Sequence, residues 1–313
     1  MKISKFKNRI NDSFYGIGIL FIFFGVFFLL NGLTHAADKI IKHITVSNFS
    51  TQSLPDFQGN LEDLIDVSVG KKELLICASG PTGDKNYFSI FFYLVNGPGN
   101  YKILSRQDYI NEVETINPGQ DWVSVWKCSR DQTFQLAVQL LPGCCGNGVV
   151  LFSFDPISET VVSLEQPSPN IEFRDLSGDG VFEIIGGEKR TDATGVADTP
   201  RIFNIASSRF IDVSNQYPDF YRSLIKDDEA YLSQAMTSVS FNETRELNVK
   251  KLVLRAYNYG GLNSEGKSYG ENLIQDVNQR ISNNPVSYEK DSLKIYLKSV
   301  QLELKRFDEK KGQ

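Results

Sequence analysis

Hydrophobic and polar positions alternate in short runs between about residue 60 and residue 164, and turn residues break the runs. Asp63 to Val69 begins a strand pattern, and Glu73 to Ala78 is a short apolar run with turn residues at its borders. Tyr87 to Val95 is dense in aromatic and β-branched residues. Asn96-Gly-Pro-Gly-Asn100 then turns the chain into Tyr101 to Leu104, a hairpin signal. Trp122 to Trp126 alternates. Phe134 to Leu141 runs into a Gly- and Cys-rich turn, Val149 to Phe154 leaves it, and Thr160 to Leu164 comes after the turn at 155–159. Strands joined by short polar turns predict antiparallel sheets, in units of loosely 45–50 residues. Residues 38–58 read as an extended lead-in.

Beyond residue 220 the period changes from two toward that of a helix. Asn242 or Thr244 can cap a helix that runs to Tyr259, and Gly260-Gly261 can end it. Tyr269, Leu273, Ile274, Val277 and Ile281 keep helical spacing until Pro285 breaks the run. Leu293, Tyr296, Leu297, Val300, Leu304 and Phe307 repeat it. The expected organisation is an N-terminal targeting segment at 1–36, a β-rich domain at 37–222 and a helical subdomain at 223–313.

The N-terminal segment sets the expected address. Lys2, Lys5, Lys7 and Arg9 precede a stretch without formal charge from Ser13 to Ala37, with an almost wholly apolar run at 17–30. Two readings fit. One is a signal peptide cut after Thr34-His35-Ala36; the other is an uncleaved membrane anchor. Both hold the basic flank in the cytoplasm and place the chain beyond residue 37 outside it. The expected location is periplasmic or secreted, or anchored in the inner membrane with the C-terminal part outside.

Composition narrows the function classes. The net charge of −5 lacks the basic footprint that nucleic acid requires. The local basic run at Lys305, Arg306, Lys310 and Lys311 is interrupted by Asp308 and Glu309 and reads as a solvated helix end. The chain has 2 histidines, His35 and His43, too few for a His-dependent triad or a multi-His metal site. Its 4 cysteines, Cys77, Cys128, Cys144 and Cys145, are disulfide candidates in an exported protein. At least one long-range bridge is expected, with unpaired buried thiols as the alternative. The adjacent pair at 144 and 145 lacks the spacing of structural zinc ligands.

One motif carries chemistry. Asp175-x-Ser177-x-Asp179-Gly180-Val181-x-Glu183 offers oxygens at alternate positions of a tight loop, the pattern hard cations require. The expected calcium ligands are Asp175, Ser177, Asp179, the Val181 carbonyl and Glu183. An EF-hand needs Glu at the twelfth position, where this chain has Gly186. The stretch from Asp175 to Ile185 resembles instead the calcium loop of FG-GAP or VCBS-type repeats, the integrin-α-like β-propeller blades. Ser177 and Glu183 depart from that family's usual Asp or Asn and Asp. Residues 201–204 and 209–213 resemble the later strands of such a blade. The resemblance implies a mainly β fold, a partial or degenerate β-propeller with antiparallel sheets, with the helical part after it. It leaves two functions. The first is an exported, non-catalytic binding or structural module, calcium-stabilised, that meets a protein or glycan ligand and touches a membrane only through its N-terminus. The second is a metal-dependent envelope hydrolase acting on glycan or phosphate. Propellers host both kinds.

Overall fold

The computed structural model describes residues 41–43, 46, 49–80, 87–110, 116, 121–140, 148–165, 171–187, 199–235 and 243–309. The expected targeting segment at 1–36, Cys144, Cys145 and residues 191–198 lie outside the described residues, as do Lys310 and Lys311. Ile41–Gln313 form one compact unit.

The fold is mainly antiparallel β with a helical C-terminal part, in a partial β-propeller-like arrangement. Five strands, β1 (Ile41–His43), β2 (Asn60–Val69), β3 (Lys72–Gly80), β4 (Tyr87–Val95) and β5 (Tyr101–Ile110), form the first sheet in chain order. The second sheet holds β6 (Val123–Trp126), β7 (Phe134–Leu140), β8 (Gly148–Asp155) and β9 (Thr160–Leu164). The third holds β10 (Ile171–Arg174), β11 (Glu183–Gly186), β12 (Arg201–Ala206) and β13 (Arg209–Asp212). Each strand pairs antiparallel with the next in its sheet.

The sheets bury side chains on both faces, which explains why β3 and β4 read as near-continuous apolar runs rather than clean alternation. In β3, Leu74, Ile76 and Ala78 face a core shared with Val125, Leu136, Val138, Phe152 and Phe154 of the second sheet. Leu75 and Cys77 face the other way, under a strap formed by Val46, Phe49, Leu54 and Phe57. In the second sheet, Ala137 and Leu151 turn from that core to meet Ile184, Phe203 and Ile205 of the third. In the third, Ile185 and Ile202 turn toward the helices. The period of two thus deals successive side chains to successive layers.

Four helices complete the chain: α1 (Pro218–Ala235), α2 (Glu243–Tyr259), α3 (Asn263–Asn283) and α4 (Ser287–Glu309). The helical part begins at Pro218, earlier than 223, with proline at the first helical position, where its missing N–H is not needed. Tyr221, Ile225, Val253 and Ala256 pack on the third sheet. Leu273, Val277, Leu293, Val300 and Phe307 form the core among the helices. Gly266 and Gly270 permit close packing there: a β-carbon at Gly266 would meet the Phe307 ring at 2.5 Å. No helix of the described residues is long and apolar enough to cross a membrane.

Two expectations need correction. Strand β5 continues to Ile110, well past Leu104. Its polar residues look like a loop in sequence, but β5 is an edge strand whose polar face meets solvent. There Asp108 accepts from Ser89 at 2.6 Å, and Arg106 lies 5.2 Å from the Phe91 ring centre. The second correction concerns Cys77, a free, buried thiol rather than half of a strand-stapling bridge. Cys77 and Cys128 sit in different core clusters, separated by the packing of the sheets, so they do not pair with each other. Burial alone pushes the Cys77 thiol pKa far up.

Candidate functional site

The loop at 175–182 joins β10 to β11, two antiparallel strands of the third sheet. Positive φ at Gly178 and Gly180 lets the chain coil tightly inside this turn. Asp175 closes the coil. Its Oδ1 accepts from the amides of Gly178 (2.7 Å) and Asp179 (3.2 Å), and its Oδ2 from Gly180 (2.9 Å). Asp179 Oδ1 accepts from the Val181 amide at 2.9 Å, and its Oδ2 from Arg130 at 3.1 Å. The Val181 amide, the Ser177 hydroxyl and Arg130 together hold the Asp179 carboxyl below the usual carboxylate range.

Glu183 does something different. It is 2% exposed and turns into the protein. One oxygen accepts from the Leu176 amide at 2.8 Å, the other from the Tyr217 hydroxyl at 2.7 Å. Burial, and then this carboxylate, push the Tyr217 hydroxyl pKa well up. Glu183 is therefore a strut between the loop, β11 and the turn leading into α1.

Four of the five expected ligands lie in this loop and the fifth, Glu183, opens β11, but their carboxylates do not gather at one point. Asp175 faces three amides, Asp179 faces Val181, Ser177 and Arg130, and Glu183 faces inward. Calcium needs six to eight oxygens aimed at one point, so the donor set as arranged does not fit that ion. Among the described residues no three His, Cys, Asp or Glu side chains form a metal group.

The structure reveals a second copy of the loop. Residues 127–133 join β6 to β7 in the second sheet. Gln135, fully buried, accepts from the Cys128 amide at 2.7 Å, seven residues back, as Glu183 does from Leu176. Asp131 accepts from the Thr133 amide at 2.8 Å, as Asp179 does from Val181. Ser129, Asp131, Phe134 and Gln135 thus match Ser177, Asp179, Phe182 and Glu183. Lys127 stands where Asp175 stands, and its ammonium donates to the carbonyls of Asp131 and Thr133. The Gln135 amide and the Lys127 ammonium replace two of the three carboxylates, so an acidic pattern does not find this loop. The shared Ser-x-Asp-x-x-Phe spacing does.

The two loops lie side by side. The Phe182 amide donates to the Lys127 carbonyl at 2.7 Å, and Arg130 bonds Asp179 across the gap. Trp126 stacks on Phe173 beneath them, ring centres 4.5 Å apart. The rim they present is polar and exposed: Arg130, Asp131, Gln132, Ser177 and Gly178. No family model, curated protein or solved structure matches this chain.

Proposed function

We propose that the chain is an exported, non-catalytic binding or structural module that meets a protein or glycan ligand through the paired rim of loops 127–133 and 175–182. The observation that carries this reading is the state of the carboxylates. Asp175, Asp179 and Glu183 are each engaged by loop amides, hydroxyls or Arg130 as structural acceptors. A loop fixed by its own hydrogen bonds keeps its shape without a ligand, which lowers the cost of ordering it on binding. The charge-free N-terminal run supports export, and the position of the 175–182 loop between β10 and β11 supports kinship with FG-GAP-type blades.

The test has two arms. N-terminal sequencing and fractionation of the expressed chain report its location; a full-length cytoplasmic product would overturn export. Screening the purified chain against glycoside and phosphoester substrates, with calcium and with EDTA, reports catalysis. Turnover that disappears in Asp175→Ala would replace the binding module with a hydrolase.

A further inference from the structure

Helix α4 buries one face, through Leu293, Val300 and Phe307, against the other helices. Its opposite face carries Tyr288, Ile295 and Leu302, exposed at 80%, 71% and 61%. These three succeed one another at seven-residue intervals, so they form a single line along the helix. A heptad line is the pattern that stays in register with a second helix.

We propose that this face pairs with the same face of a second copy of the chain, antiparallel, about a two-fold axis at Ile295. Setting Ile295 against Ile295 brings Leu302 of each copy over Tyr288 of the other. Asp291 and Lys298 lie on one flank of the line. The antiparallel pairing sets the carboxylate of one copy beside the ammonium of the other, twice. A parallel pairing, about an axis along the helices, would set the Asp291 and Lys298 flank of one copy against the Ser292 and Ser299 flank of the other, with no opposite-charge contact. The other flank carries Ser292 and Ser299, which oppose each other across the same axis and are small enough for close approach. The surface is therefore complementary to itself in one orientation, as an isologous contact requires. Asp291 bonds Lys294 of its own helix at 2.9 Å, but both side chains are exposed and such a pair yields readily. With three apolar side chains per copy, the pair buries less than the roughly 1,200 Å² of stable complexes, so association is weak and concentration-dependent.

The test is oxidative cross-linking of full-length Ile295→Cys over a concentration series, with the parent chain giving the background from native cysteines. The expected result is a covalent dimer that Glu271→Cys, on exposed α3 surface, does not form. Adding Asp291→Lys should lower the dimer yield about fivefold, and Asp291→Lys with Lys298→Asp should restore it. All these positions are exposed, so folding is not at stake. Three results would each overturn the pairing: no dimer above background, a dimer indifferent to charge reversal, or a residue 295 thiol that anionic vesicles shield without any dimer.

Discussion

Replacing Glu183 tests whether the loop at 175–182 stands on hydrogen bonds or on an ion. Glu183→Ala removes the acceptor for the Leu176 amide and for the Tyr217 hydroxyl, at a site almost closed to water. Hydrogen bonds to a charged group contribute about 1.5–3 kcal/mol each, and an orphaned buried donor costs a similar amount. The expected loss is about 3 kcal/mol, or about 6 °C in melting temperature for a unit of this size. Glu183→Gln is expected to cost far less, about 1 kcal/mol. The chain itself supplies the reason: Gln135 holds the Cys128 amide at 2.7 Å in the matching position of the second sheet. A glutamine at 183 can keep the Leu176 amide on its oxygen and donate its NH2 to the Tyr217 oxygen. The assay is urea unfolding and thermal melting of parent, Glu183→Ala and Glu183→Gln, each in EDTA and in millimolar calcium. A strut predicts the same Ala deficit in both solutions. If Glu183→Ala matches the parent in EDTA and differs only by losing a calcium-dependent rise, Glu183 is an ion ligand and the strut is refuted. Equal damage from Gln and Ala would show that charge, not hydrogen bonding, is what the site requires.

Two more outcomes rest on named contacts. Lys127→Met should destabilise the second-sheet loop by about 1–2 kcal/mol, because the carbonyls of Asp131 and Thr133 lose their ammonium donor; hydrogen exchange at 127–133 would report it, and unchanged protection would show that the ammonium does not hold the loop. Asp228, pushed up to about 6 by burial and by neighbouring Asp227, gives a pH test. The folded state keeps its proton to about pH 6 and the unfolded state only to about pH 4, so stability falls as pH rises through that window and the penalty is full above it. Asp228→Asn should therefore raise unfolding free energy at pH 7 by about 1 kcal/mol, allowing for the solvent-facing part of the side chain, and change it little at pH 4; equal effects at both values would exclude the titration.

Strand positions from β3 to β4 and from β6 to β9 could be read along the chain because turn residues and a period of two leave a local mark. The helices α3 and α4 were equally legible, since Leu273, Val277, Leu293 and Val300 repeat at helical spacing. The extension of β5 was not, because an edge strand with Ser105, Arg106, Gln107 and Asp108 carries the composition of a loop. Of the candidate site, sequence located the loop and its five oxygens. It could not show which way Glu183 points.

Sequence alone determined most of the strands, the helical spacing of the C-terminal part, the poverty of histidine and the charge-free N-terminal run, all properties of neighbouring residues. Tertiary structure decided the rest. It dealt alternate faces of each sheet to different cores, which separated Cys77 from Cys128. It laid the loop at 127–133 beside the loop at 175–182 and turned Glu183 inward to Tyr217. It also left Tyr288, Ile295 and Leu302 of α4 on the surface. The physical reason is the same in each case. A side chain's partners come from layers distant in sequence, and hydrogen bonding and burial are settled only when those layers meet.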